Sequence, residues 1–157
     1  MRPGSIIKRD LDGAAGVAFS HVGIYIGEGK VIHFDGEILG NQDARVREVS
    51  LPQFTKGRRL KLSVEPRSQN HGSAVVAEAR RILRSPSTWN GTYNFAFRNC
   101  EDFAQHCYEV EYRTNSGRQK ERAPWSQRLR AVAAGTGVVV VAVFSVILGS
   151  RRGPPRA

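Results

Sequence analysis

The chain has 157 residues, of which 40% are apolar and 24% charged, and its formal net charge is +10. That length holds one ordinary domain and excludes two, and the composition excludes a disordered or fibrous chain. The excess positive charge gathers in residues 113–130 and 151–157; this argues against a nucleic-acid surface on the folded part and fits a basic collar at an anionic membrane, where each such residue contributes roughly 1 kcal/mol.

In chain order, Met1–Ser5 lacks the apolar stretch of a secretory signal. Ser5–Arg9 reads as a short strand after the Pro3-Gly4 turn, and residues 10–18 as a Gly/Ala/Asp loop. Ser20–Ile26 and Lys30–Asp35 read as two strands around Gly27-Glu28-Gly29. Arg45–Ser50 and Arg58–Val64 are further strands, separated by a turn around Pro52 and Gly57. Ser73–Leu83 has apolar residues at helical spacing behind a Ser N-cap signal, Thr92–Phe97 is strand-like, and Asn99–Val110 is a second helix.

Residues 3–112 are thus expected to form the catalytic domain and 113–130 a basic juxtamembrane linker. Residues 131–149 (AVAAGTGVVVVAVFSVILG) carry no charge and lie between Arg128 and Arg130 on one side and Arg151 and Arg152 on the other. As a helix they span about 28 Å, close to the ~30 Å of bilayer hydrocarbon. The expectation is a transmembrane tail anchor with the preceding domain on the cytosolic side, a basic tail over 150–157, and a span able to pair with a second copy.

The central hairpin carries the chemistry. With a three-residue turn at Gly27-Glu28-Gly29, Ile26 pairs with Lys30 and Gly23 with His33. Val22, Ile24, Ile26, Ile32 and Phe34 then share an apolar core face, while His21, Gly23, Tyr25, Val31, His33 and Asp35 share the other. The histidines become diagonal neighbours, about 7–8 Å apart or closer through their side chains. A two-residue turn would place them on opposite faces. A single strand histidine is ordinarily structural or exposed; two on one polar face call for a partner.

Cys100 supplies one. Asn99 is a good N-cap, and Glu101 and Asp102 are first-turn acids, so Cys100 opens a helix whose positive dipole end favours thiolate over thiol. A thiolate there, with an imidazole in reach, is an activated nucleophile. His106 lies six residues along the same helix, about 9 Å away, and cannot be its base. Cys107 is mid-helix and packed. Seven residues separate it from Cys100, roughly 10 Å along a helix, too far for a disulfide, which suits a reducing compartment.

These motifs, His21-Val22-Gly23-Ile24-Tyr25-Ile26-Gly27, Val31-Ile32-His33-Phe34 and Asn99-Cys100-Glu101-Asp102-Phe103-Ala104, resemble the lecithin:retinol acyltransferase-like family, and Pro3-Gly4-Ser5-Ile6-Ile7 resembles its opening strand. The likeness covers about residues 3–110. It implies an α+β fold, an antiparallel sheet packed on helices, which is a circularly permuted form of the papain-like NlpC/P60 architecture. It also implies a phospholipase A1/A2 or acyltransferase in which Cys100 is the nucleophile, His21 the base and His33 the orienting residue. The cysteine would take an acyl chain from a glycerophospholipid as a thioester and pass it to water, an amine or an alcohol, with no cofactor or metal. Tyr25 and Asp35 are secondary candidates for lining the substrate site. Asp102 stands where the family pattern has histidine, which puts substrate and rate in question. The alternatives are a papain-like amidase or peptidase using the same residues, and a non-catalytic membrane or signalling module.

Overall fold

Strand alternation sets the centre of the molecule. In a computed structural model that describes residues 1–11, 20–36, 44–86, 89–91 and 99–123, strands β1 (Ile6–Asp10), β2 (Ser20–Gly27), β3 (Lys30–Asp35), β4 (Arg45–Ser50) and β5 (Lys61–Val64) form one sheet. Their order is β4-β3-β2-β1-β5, and every pairing is antiparallel. The strands expected between Ser5 and Val64 are present, although the last begins at Lys61 rather than Arg58.

The β2–β3 turn differs from the expected one. Ile24 pairs with Ile32 and Tyr25 with Val31, as parity requires, but Gly27 pairs with Lys30, and the register shifts between Tyr25 and Gly27. The turn proper is two residues, Glu28 and Gly29, both at positive φ (51° and 68°) as the tightest hairpin turns demand. The bulge just before it adds back the residue that the shorter turn removes. The two departures cancel, so both histidines still fall on one face.

Helices α1 (Leu51–Thr55), α2 (Gln69–Arg84) and α3 (Cys100–Tyr108) complete the described domain. The apolar face of Ile24, Ile32 and Phe34 is fully buried. Helices α2 and α3 pack against β2 and β3, and Trp89 bridges Phe34 to Phe103 of α3 at ring separations of 5.7 and 5.5 Å. Helix α2 begins at Gln69 behind the N-cap Ser68, one turn before the expected Ser73.

The opposite face is not open to water as the sequence suggests. Helix α1, absent from the expectations, puts Phe54 onto Ile7 and Val31, with Tyr25, Val49, Leu51 and Leu60 around them. Ser50 and Gln53 cap this helix reciprocally, and Pro52 in its first turn sets its direction.

Strands β6 (Glu111–Thr114) and β7 (Gly117–Lys120) form a separate two-stranded ribbon that runs from the end of the expected catalytic domain into the stretch whose charge suggested a linker. Tyr112 anchors the ribbon by stacking on the buried His71 of α2, with ring centroids 4.7 Å apart. Among the described residues no helix is long and apolar enough to cross a membrane. The expected strand over 92–97 and the expected span over 131–149 lie outside the described residues.

Candidate active site

His21 and His33 meet. The Nε2 of His21 lies 2.7 Å from the Nδ1 of His33, and the rings stand edge to face with centroids 4.9 Å apart. Each is 6% exposed. Phe54 closes over both, 5.6 Å from each ring. Gly23 makes the closeness possible, because the strand has no side chain between the two imidazoles and Phe54.

Burial acts on both rings. It drives His21 well below the usual histidine value, helped by the charges of His33, Arg9 and Lys56. His33 falls to about 4, first through burial; the Asp35 carboxylate opposes the fall, while Arg9, Lys56 and Arg47 add to it. Both rings are therefore neutral at pH 7 and available as bases.

Cys100 is the first residue of α3 and 4% exposed. Asn99 caps the helix, its side-chain oxygen accepting from the N–H groups of Glu101 and Asp102 at 2.8 and 3.1 Å. Asp102 returns the favour by accepting from the Asn99 N–H at 3.0 Å. The aspartate in the histidine position of the motif thus has a structural task, the second half of a capping box. Burial pushes both Glu101 and Asp102 upward, which moderates the negative charge they bring beside the thiol.

The structure unites the two histidines and places Cys100 at the head of a helix packed on their strands. Asp35 offers an oxygen within 4.8 Å of a nitrogen of each ring, and its carboxylate pairs with Arg47 at 3.5 Å. Tyr25 lies on the same face, but its hydroxyl accepts from the turn N–H of Gly29 at 3.4 Å.

His21, His33 and Asp35 are the described residues closest to a metal-ligand set. Their geometry favours a shared proton instead, since two nitrogens on one tetrahedral zinc stand about 3.3 Å apart and these are 2.7 Å apart. Cys107 is fully buried, its thiol pushed well up by burial, and the two cysteines form no disulfide. His106 points away to Glu78 of α2 at 3.0 Å.

Sequence reasoning missed Phe54 and Arg9. The Ser50-x-x-Gln53 box ahead of Phe54 was the available signal for the first. For the second it was parity, which sets Arg9 directly opposite His21.

The description of the lecithin retinol acyltransferase family matches residues 2–113. The chain belongs to that family. The match spans the histidine strands and the cysteine helix together and carries the family's acyltransferase and phospholipase type of activity. No curated protein matches the chain.

Proposed function

We propose that this lecithin retinol acyltransferase family member is a thiol-dependent phospholipase and acyltransferase working at a membrane surface. The observation that carries the reading is the buried 2.7 Å contact between His21 Nε2 and His33 Nδ1. It occupies one nitrogen of His21 and leaves Nδ1 for a thiol. When His21 Nε2–H donates to His33, the lone pair on Nδ1 is the basic one, so His33 selects the tautomer that catalysis requires.

The Cys100 proton passes to His21 Nδ1, and the sulfur adds to an ester carbonyl of a glycerophospholipid. The carbon–oxygen ester bond breaks, and the departing glycerol oxygen takes the proton from His21. The resulting thioester is opened by water, an amine or an alcohol, whose proton again goes to His21. The reading requires the Cys100 thiol and His21 Nδ1 to stand within hydrogen-bond reach in the substrate complex. Histidine strands preceding the cysteine helix fit a circularly permuted papain-like order. Residues 131–149, with their flanking arginines, would tether the domain on the cytosolic side, beside its acyl donor.

The test is intact-protein mass spectrometry of the full chain with phosphatidylcholine in mixed micelles. An acyl adduct on Cys100 and released fatty acid are expected. Cys100→Ser and His21→Ala should abolish both, while Cys107→Ser and His106→Ala should not. No adduct and no fatty acid from the wild type would sink the reading, and equal loss in all four variants would show that the nucleophile is misassigned.

A further inference from the structure

Arg9 carries a buried charge that no carboxylate among the described residues is seen to pair with. It lies on β1 directly opposite His21, on the face shared by the two imidazoles, and is 5% exposed. Its guanidinium donates from Nη1 to the carbonyl of Asp10 at 3.2 Å, while Nε is buried without a hydrogen-bond partner. Among the described residues, the carboxylates of Asp10 and Asp35 are engaged elsewhere. Asp10 takes Lys61 at 2.7 and 2.8 Å, and Asp35 takes Arg47. Buried guanidinium groups are ordinarily paired, because an uncompensated one forfeits its hydration.

Lys56, held at positive φ just after α1, adds to the positive potential on this face; its charge, like that of Arg9, disfavours protonation of both histidines. A site that repels a proton by such means attracts an anion. The Nε edge of a guanidinium offers parallel N–H donors matched to two oxygens of a phosphate.

We propose that Arg9 is the phosphate-binding residue of the site, its Nε edge receiving the phosphodiester of a glycerophospholipid whose ester carbonyl lies at His21. This rests on the reading of the site as one that deacylates phospholipids, and it names the part of the donor that is recognised. Directly opposed side chains on neighbouring antiparallel strands stand roughly 5 Å apart at Cβ, and the ester carbonyls of a glycerophospholipid lie a few bonds from phosphorus. One substrate spans both residues. Neutral acylglycerols with the same chains lack the anion and leave Arg9 unpaired.

The experiment uses the full chain in neutral detergent micelles and compares kcat/KM for phosphatidylcholine and for diacylglycerol of identical acyl chains. In Arg9→Gln the ratio of phosphatidylcholine to diacylglycerol turnover should fall about tenfold or more, with Arg9→Lys restoring part of it. Taking a ratio cancels any loss of folded protein. An unchanged ratio overturns the proposal.

A second measurement is independent of turnover. The ¹⁵N-labelled Nε–H resonance of Arg9 is followed while glycerophosphocholine or inorganic phosphate is added. A saturable shift with glycerophosphocholine at lower concentration than with phosphate supports a lipid phosphodiester. Tighter binding of inorganic phosphate overturns the lipid source, and no shift with either overturns the site. If neither ester is turned over while glycerophosphocholine still shifts Nε–H, the acyl-transfer reading fails and the Arg9 assignment stands.

Discussion

Gly23 and His33 face each other across β2 and β3 so closely that a Cβ on Gly23 would lie 3.2 Å from the Cβ of His33. The same Cβ would be 2.7 Å from Val31 Cγ1 and 2.9 Å from Phe54 Cε2. The backbone is ordinary extended strand, so the requirement is for space and not for unusual dihedrals. Any side chain here must displace Phe54, the residue that seals the imidazole pair. Gly23→Ala should cost about 1–3 kcal/mol by overpacking and reduce turnover by more than its loss of folded protein explains. Urea denaturation together with kcat/KM on the folded fraction checks both.

Acid should destabilise the domain before ordinary carboxylates titrate. His21 and His33 have native values below the 6.5 of an exposed histidine, that of His33 at about 4. Between these values the unfolded chain binds protons that the native state refuses, so stability is complete above pH 6.5 and lost as pH falls towards 4. The loss should amount to a few kcal/mol at the lower end. Glu101 and Asp102, raised by burial, work in the opposite direction near that end. Chemical denaturation at pH 7.0, 6.0 and 5.0 should show a declining midpoint, flattened in a His21→Asn/His33→Asn double variant. A wild-type midpoint that stays level would mean that the pair is not buried and neutral.

Among the described residues, Asp35 is the carboxylate opposing that depression at His33. Removing its charge in Asp35→Asn should move the His33 titration to still lower pH, since Arg9, Lys56 and Arg47 then act unopposed after burial itself. The ring Cε1–H resonance, followed by NMR from pH 8 to 3, reads this directly. Asp35→Glu should restore much of the original value; an unmoved titration in Asp35→Asn would show that Arg47 already screens the carboxylate fully.

The hairpin, the capped cysteine helix and the shared face of the two histidines were legible because each depends on local rules: period-two alternation, an Asn N-cap and turn glycines. The family likeness was legible from the same motifs. What eluded the sequence depended on elements far along the chain. His21 and His33 sit on a face that alternation marks as polar, yet Phe54 buries it from a five-residue helix too short for any periodic signal. The β6–β7 ribbon was obscured by its charge; its contacts with distant residues, Tyr112 on His71, Arg113 with Asn70 and Glu121 with Arg67, are what fold the segment back. The Gly27-Glu28-Gly29 composition suits a three-residue turn as well as two residues and a bulge, because composition does not distinguish compensating insertions.

His71 shows how a histidine in this fold can be purely architectural. Its Nδ1 accepts from the backbone N–H of Arg67 at 3.1 Å, which leaves Nε2–H to donate to the carbonyl of Tyr108 at 2.8 Å. Both nitrogens are thereby committed, the tautomer is fixed, and the ring ties α2 to the end of α3 while carrying Tyr112 on its face. His71→Ala should strand the buried Tyr108 carbonyl and the part-buried Arg67 N–H and open a cavity, costing about 2–5 kcal/mol. His71→Phe would fill the space but still leave both partners unsatisfied, so it should recover only part of the loss. Denaturation midpoints that rank wild type, then Phe, then Ala would bear this out. Equal stability of the wild type and His71→Phe would mean that ring packing alone supports the junction.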